Sequence, residues 1–581
     1  MAQKSYRRSP QRPKAQAVAV ADPPAANNFK LYALACLAAF FAAFQVYAPA
    51  LHGQFVFDDL FLLYTNPHAA SLSLAQWCGL RPVLGLSFWA NFQAAGLDTF
   101  PYHVVNVLLH CLSTILLFLI VRKILEMAGT EGLLADILSG FSAAIFLLHP
   151  IQTEAVAYIA SRSETLSVLF IFAAFYVFLR RRSREINWAE SAAVLFLFAC
   201  AAGTKEHAVA LPAVFLLTDY FWNPGFTVSG IRANWRLYVP TAFVGTAAVI
   251  FVWSYVSRDA TIGFHIGGLT WYQYFFTQSR ALFGYIWYFL VPIGLNVDHE
   301  FAASRTITDH GAIIAMLCLA ALVAAAIYFR RRFPLACYGF FVFLVLIAPT
   351  SSVVPIRDVF VERRLYLPFI GLMLIALEPL RRLRMPPKTI AILLACLCVV
   401  PAFLTWRRTA VWTSSTRLWE DSVQTAPNKP RPHIGLGNAY MHEQRCHEAA
   451  KEYEAAYALT SPDFTLKYNL AAAYECIKQP ARAIAFLKDA ISENPSAAPN
   501  HALMGMVQAE TGKWEEGLAE LKQAEQLDPN YARTYAYRGV ILATLRQNEL
   551  ASREFEKCLQ LDPNNQIARR GWNALNPDGG Q

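Results

Sequence analysis

At 581 residues, with 56% hydrophobic and 16% charged side chains, the chain is too long for one compact core and too apolar to be water-soluble throughout. Its formal charge of +9 would suit nucleic acid, but the basic residues fall in short clusters between apolar runs. That distribution reports membrane topology rather than phosphate-backbone binding. Eleven cysteines are scattered without a CxxC pair, which argues against a zinc site or a disulfide framework. Cys36, Cys111, Cys200, Cys318 and Cys337 lie in apolar runs and read as small hydrophobes, while Cys446 and Cys476 lie outside them and are left open to pairing.

Residues 1–30 carry Lys4, Arg7, Arg8, Arg12, Lys14 and Lys30 without a hydrophobic period, and are expected to form a disordered basic tail. The run 31–51 is long enough to span a bilayer, since about 20 apolar residues suffice. A basic tail on its amino side predicts a cytoplasmic amino terminus, which puts Asp58 and Asp59 on the external side in the loop 52–102. Further spans are expected at 103–121, 133–149, 165–179, 188–203, 208–221, 237–256, 311–329, 334–349, 365–380 and 388–405, about eleven in all, closing a membrane domain over 31–405. Alternating sides gathers Arg122 with Lys123, Arg180 to Arg182, Arg232 with Arg236, Arg330 to Arg332, and Arg381, Arg382 and Arg384 on the cytoplasmic face. The stretch 271–295 breaks this alternation if counted as a span; its aromatic residues suit an interfacial or re-entrant element.

Beyond Trp406 the pattern changes. Prolines recur at Pro427, Pro462, Pro495, Pro529 and Pro563, at spacings of 35, 33, 34 and 34. That is the period of the tetratricopeptide repeat, a helix–turn–helix unit. Leu436 with Gly437, Leu470 with Ala471, Met504 with Gly505 and Arg538 with Gly539 share one slot of it. Residues 406–430 read as a linker or degenerate half repeat, and 431–575 as four repeats with a capping helix over 566–575. The fold class is therefore all-α: a polytopic membrane helical domain followed by a tetratricopeptide-repeat α-solenoid.

Polar residues at the span ends gather on one side: Asp58 and Asp59, Arg81, His149, Glu154, Arg162, Lys205, Glu206, Arg363 and Arg364. A carboxylate can take the proton of an attacking hydroxyl, and Arg or Lys can hold a departing phosphate. Each also has a plainer explanation. A lone Arg or Lys at a span end is usually a snorkelling anchor, His149 before Pro150 suits a helix cap, and Lys205 with Glu206 suits an ion pair. Jointly, their convergence on one face favours chemistry. The chain has no GxxxxGK[ST] loop and no HExxH helix, so neither ATP hydrolysis nor that type of metalloprotease is expected.

These motifs resemble a known family. Phe55 to Asp59 with Asn66, Arg81 and Pro82 through Asn91, His103 to His110, His149 and Pro150 to Arg162, Lys205 with Glu206, and Glu362 with Arg363 to Pro368 match the transmembrane-and-TPR O-mannosyltransferases, within the GT-C glycosyltransferases. The resemblance covers residues 31–575. It implies inverting transfer of a sugar, mannose by default, from a polyprenyl- or dolichyl-phosphate carrier to protein Ser or Thr hydroxyls. One of Asp58 and Asp59 is then the general base, and the other basic and acidic residues above bind donor phosphate or substrate. Arg364 replaces the aromatic that usually follows Glu-Arg in the family, leaving open which arginine faces the phosphate. No metal and no cofactor are expected, the lipid-linked sugar being a substrate. The short array and basic tail suggest a bacterial inner membrane, with the repeats on the periplasmic side holding an acceptor protein or peptide. A non-enzymatic membrane scaffold, whose repeats recruit an envelope or export complex, and a GT-C enzyme with a glycan acceptor are the alternatives.

Overall fold

The computed structural model describes residues 26–66, 68–181, 185–256 and 268–576. Most of the expected basic tail, and Arg182 of the arginine cluster, lie outside the described residues. The described residues are helical, with short 3-10 turns and no strand.

Every expected span overlaps a helix, but length divides them. Five helical stretches are long and apolar enough to cross a membrane among the described residues: Lys30–Ala50, Thr99–Met127, Ile159–Arg180, Asp309–Phe329 and Pro387–Thr413. A sixth forms if Gly132–Leu148 and Pro150–Ala157, bent by 53° at His149, count as one. Trp188–Ala202, Pro334–Ile347 and Phe369–Leu380 are apolar but shorter. At 1.5 Å per residue such helices reach only ~18–23 Å, against ~30 Å for the hydrocarbon core. The stretch 271–295 holds the helix Trp271–Leu290, started by a capping box in which Thr270 and Gln273 exchange bonds.

Close backbone approach draws the membrane helices together. A Cβ on Gly339 would meet the Gly371 carbonyl oxygen at 2.6 Å, and one on Gly371 would meet the Phe343 nitrogen at 2.5 Å, so the two helices touch through glycine. Most of the basic clusters on the face expected to be cytoplasmic are neutralised. Arg122 pairs with Asp136 at 2.6 Å, Arg181 with buried Asp219, and Arg381 and Arg382 with Glu378 at 2.9 and 2.5 Å.

Helix pairs fill the carboxyl-terminal part from Pro430–His442 to Asn548–Leu561, followed by Gln566–Leu575. The 34-residue period is physical. Each turn within a pair has one left-handed residue, at Gln444, Lys478, Gly512 and Arg546. His433 and His501 occupy equivalent slots and make the same two contacts. Each has Nδ1 at 2.7 Å from a glutamate (Glu452, Glu520) and Nε2 at 3.0 Å from a proline carbonyl (Pro427, Pro495). Gly437 lets a helix lie against the Tyr453 ring, whose Cε1 is 2.4 Å from where a Cβ would sit. Cys446 and Cys476 form a disulfide between the first and second pairs.

One apolar core runs from the membrane helices through Trp412 and Trp419 into the third pair, ending near Val507. Later helices have separate cores around Leu521 and around Phe555. The segment 52–102 has its own aromatic core of Tyr64, Trp77, Phe88 and Tyr102, closed by Ile159.

Candidate active site

The two adjacent aspartates have opposite surroundings. They sit in the 3-10 turn Phe57–Phe61. Asp59 is fully buried and saturated: Oδ1 accepts from the Tyr64 hydroxyl at 2.9 Å and the Ala160 amide at 2.8 Å, and Oδ2 accepts from the Val56 amide at 3.1 Å. Burial pushes its carboxyl up to about 7, against the pull of those bonds. Asp59 therefore ties the turn to the 158–161 segment. Asp58 is exposed. Its amide donates to the Tyr158 hydroxyl at 2.9 Å, and Tyr158 lies within the field of its carboxylate. The residue before it, Phe57, has φ +56°, a left-handed conformation costly for a bulky side chain.

Three cations expected at the site are each matched with a glutamate. The guanidinium of Arg81 grips Glu206 bidentately, Nε to Oε1 at 2.8 Å and Nη2 to Oε2 at 2.9 Å. Against the upward push of burial, Arg81 holds Glu206 below the ordinary glutamate range. Lys205 pairs with Glu164, which His207 also approaches at 3.3 Å. Burial lowers Lys205, and the charges of Arg363 and Arg81 reach it as well. Arg363 joins Glu154 twice, through its backbone amide at 2.9 Å and through its guanidinium. Arg363 also feels Tyr158 and Glu164, so the Asp58 turn, Arg363 and Lys205 share one electrostatic neighbourhood. The Arg363 side chain is 22% exposed, and its Nε and Nη2 make no hydrogen bond among the described residues.

The neighbouring arginine points elsewhere. Arg364 donates to the carbonyls of Asp358 at 2.5 Å and Val359 at 3.2 Å, clamping the loop that leads into Glu362–Leu365. Glu362 accepts from the Asn296 amide at 2.5 Å and touches His299 Nε2 at 2.8 Å, while its Oε2 is buried without a partner among the described residues.

Two other expected ligands are absorbed into the scaffold. Arg162 is fully enclosed: it donates to Asn106 Oδ1 at 2.9 Å and to the carbonyls of Ser87 and Tyr102 at 3.2 and 3.1 Å, with its guanidinium 4.5 Å from the Phe88 ring centre. His149 accepts from the Ile151 amide at 3.3 Å, capping the turn after the 53° bend, and its other nitrogen is 3.0 Å from the Phe289 carbonyl. Glu154 and Glu206 act as partners of arginines.

Sequence reasoning missed a set of residues brought in from the repeats. Arg431, at the start of the first repeat helix, pairs with Asp358 at 2.7 Å and lies 5.0 Å from the Phe57 ring centre. Lys429 pairs with Asp298 at 2.5 Å and donates to the His299 carbonyl at 3.0 Å. The signal available was charge complementarity between a basic start to the first repeat and Asp298 and Asp358. A cavity of about 410 Å³ lined by Arg280, Phe301 and Ile314 is bordered by none of these residues. Among the described residues, no group of three or more His, Cys, Asp or Glu side chains is placed to hold a metal ion.

The tetratricopeptide repeat family matches residues 532–565. A protein O-mannosyl-transferase of Caenorhabditis elegans is 24% identical over 449 residues, covering 71% of this chain and 61% of that protein. The Homo sapiens protein O-mannosyl-transferase TMTC1 is 24% identical over 487 residues, covering 71% of this chain and 54% of its own length. The chain thus spans a little over half the length of these relatives. Among solved structures, a Thermus thermophilus TPR protein aligns with 27% of this chain and 87% of its own, at 21% identity and a TM-score of 0.25. Over 71% of its length this chain resembles protein O-mannosyl-transferases, and its residues 532–565 match the tetratricopeptide repeat.

Proposed function

We propose that this protein is an integral-membrane glycosyltransferase that moves a sugar, mannose by default, from a polyprenyl- or dolichyl-phosphate carrier to Ser or Thr hydroxyls of a protein acceptor. The observation that carries this reading is the division of labour between the aspartates. Asp59 is locked into the turn, while Asp58 is exposed and shares with Arg363 the field around Tyr158. The kinship with protein O-mannosyl-transferases supports the reaction class.

In this mechanism the Asp58 carboxylate accepts the acceptor hydroxyl proton as the oxygen attacks the anomeric carbon. The bond from that carbon to the phosphate oxygen breaks, its electron pair leaves with the lipid phosphate, and the configuration inverts. Arg363, through the edge not given to Glu154, and Lys205 and Arg81 meet the growing phosphate charge. Glu154, Glu164 and Glu206 hold these cations in place before the donor arrives. Metal-independence is part of the proposal. EDTA leaves transfer unchanged, and loss restored by manganese would contradict it.

The repeats are proposed to lie outside the cytoplasm and to hold the acceptor. The disulfide between Cys446 and Cys476 suits an oxidising compartment. The experiment is mass spectrometry of envelope glycoproteins from cells expressing no protein, wild type, or Asp58→Asn. Glycopeptides present only with wild type support the proposal. A full glycopeptide set with Asp58→Asn at normal expression removes Asp58 as base. Complementation of a deletion by residues 406–581 alone would favour the scaffold reading.

A further inference from the structure

We propose that Arg431, a residue of the repeat array, is a positioning residue for Asp58 and so makes the first repeat an integral part of the active site. The proposal rests on the reading of Asp58 as the base.

Phe57 links Arg431 to Asp58. Its backbone is left-handed, and a bulky residue keeps that conformation only where its surroundings hold it. Three groups do so. Tyr158 lies 5.9 Å away in the membrane domain, and Trp419 packs edge-on at 5.5 Å from the helix before the repeats. The Arg431 guanidinium lies 5.0 Å from the ring centre, a cation–π arrangement. Arg431 is in turn fixed by Asp358 at 2.7 Å, with Asp298 at 3.6 Å, and Arg364 holds the Asp358 carbonyl from the other side. Lys429 adds a second anchor through Asp298, and Ser422 a third through Asn296 at 2.6 Å. The carboxylate that follows Phe57 therefore takes its direction from a ring clamped between the two parts of the chain. Arg431 also lies within the field of Asp58.

Neither charge alone nor size alone reproduces this contact. Lysine keeps the pairing with Asp358 but loses the planar face that stacks on the ring. The test compares Arg431→Ala, Arg431→Lys and, as a control, Arg553→Ala on the exposed surface of the last repeat, all as full-length protein in detergent or nanodiscs. Transfer is followed with a polyprenyl-phosphate mannose donor and an envelope-protein extract, and hydrogen exchange is read at 55–60. The expected result is a kcat about tenfold lower in Arg431→Ala with unchanged donor KM, faster exchange at 55–60, partial recovery of both in Arg431→Lys, and wild-type behaviour in Arg553→Ala. Unchanged exchange and kcat in Arg431→Ala would overturn the proposal. So would a raised donor KM at full kcat, which marks a direct phosphate contact. A wild type that transfers no sugar defeats the transferase reading, while exchange at 55–60 still decides whether Arg431 fixes the turn.

Discussion

The membrane-domain site and the repeat array use the same bonds to different ends. In the array, a side-chain contact such as that of His501 with Glu520 joins residues 19 apart and has a copy at His433 and Glu452. At the site, Arg363 with Glu154 joins residues 209 apart and Arg81 with Glu206 residues 125 apart. Repeat contacts are local, redundant and partly exposed. Site contacts are long-range, and burial divides them: Glu154 is 1% exposed, so removing it strands Arg363 in an enclosed setting, while Arg81 and Glu206 are each 40% exposed. Placement in the fold, rather than bond type, sets what each interaction is worth.

The largest expected break in this comparison is chemical. Asp58→Asn lowers kcat by about 10²- to 10⁴-fold, the usual contribution of a general base, with expression and melting unchanged. No single change in the exposed repeats has that effect on kcat; a comparable loss from Glu520→Gln, measured in the same transfer assay, would erase the distinction.

Stability separates the regions next. Glu154→Gln strands Arg363 in an enclosed setting and costs roughly 3–5 kcal/mol. Glu520→Gln removes a partly exposed pair and costs under about 1 kcal/mol. Thermal melts of the two variants in one detergent give the ratio, and equal costs would show that burial does not govern these pairs.

Titration offers a third contrast. Burial raises Asp59 from its ordinary 3.8 to about 7, so the folded protein keeps a proton that the unfolded chain has released. The stability this contributes is full below pH 4 and is lost as pH rises through about 7. Melting of wild type relative to Asp59→Asn is expected to fall across that window. A difference independent of pH would refute it.

Backbone conformation gives the smallest effect and the sharpest sign test. Arg546 and Phe57 both have positive φ without being glycine. Arg546→Gly relieves a repeat turn and stabilises by roughly 1 kcal/mol without changing transfer. Phe57→Gly relieves a similar strain but loses the ring that Arg431, Tyr158 and Trp419 hold, so kcat falls. A Phe57→Gly protein with full kcat would show that the ring is dispensable.

What was legible in the sequence follows the same line. The repeats announce themselves because each slot recurs, down to the small residue of Gly437 and the left-handed turn residue. The helices of the membrane domain are equally visible, although which of them cross follows from length, and several are short. The aspartate pair stood out by its setting, but which carboxylate is free depends on Tyr64 and Ala160, whose reach to Asp59 is three-dimensional. Arg162 was indistinguishable in sequence from a phosphate ligand, because Asn106, two carbonyls and a Phe88 ring leave no trace in its neighbourhood. Arg431 escaped notice because it belongs to a repeat, where a charged residue ordinarily faces solvent.

The apolar core that passes from the membrane helices through Trp412 and Trp419 ends in the third repeat, and the helices beyond it pack around cores of their own. This seam divides the array into a fixed root and an exchangeable tip. Units inserted or removed beyond the seam change the reach of the array while the stack on Phe57 stays as it is. Array length and catalytic geometry can therefore vary independently, one set by how many units follow the seam and the other by the single repeat that begins at Arg431.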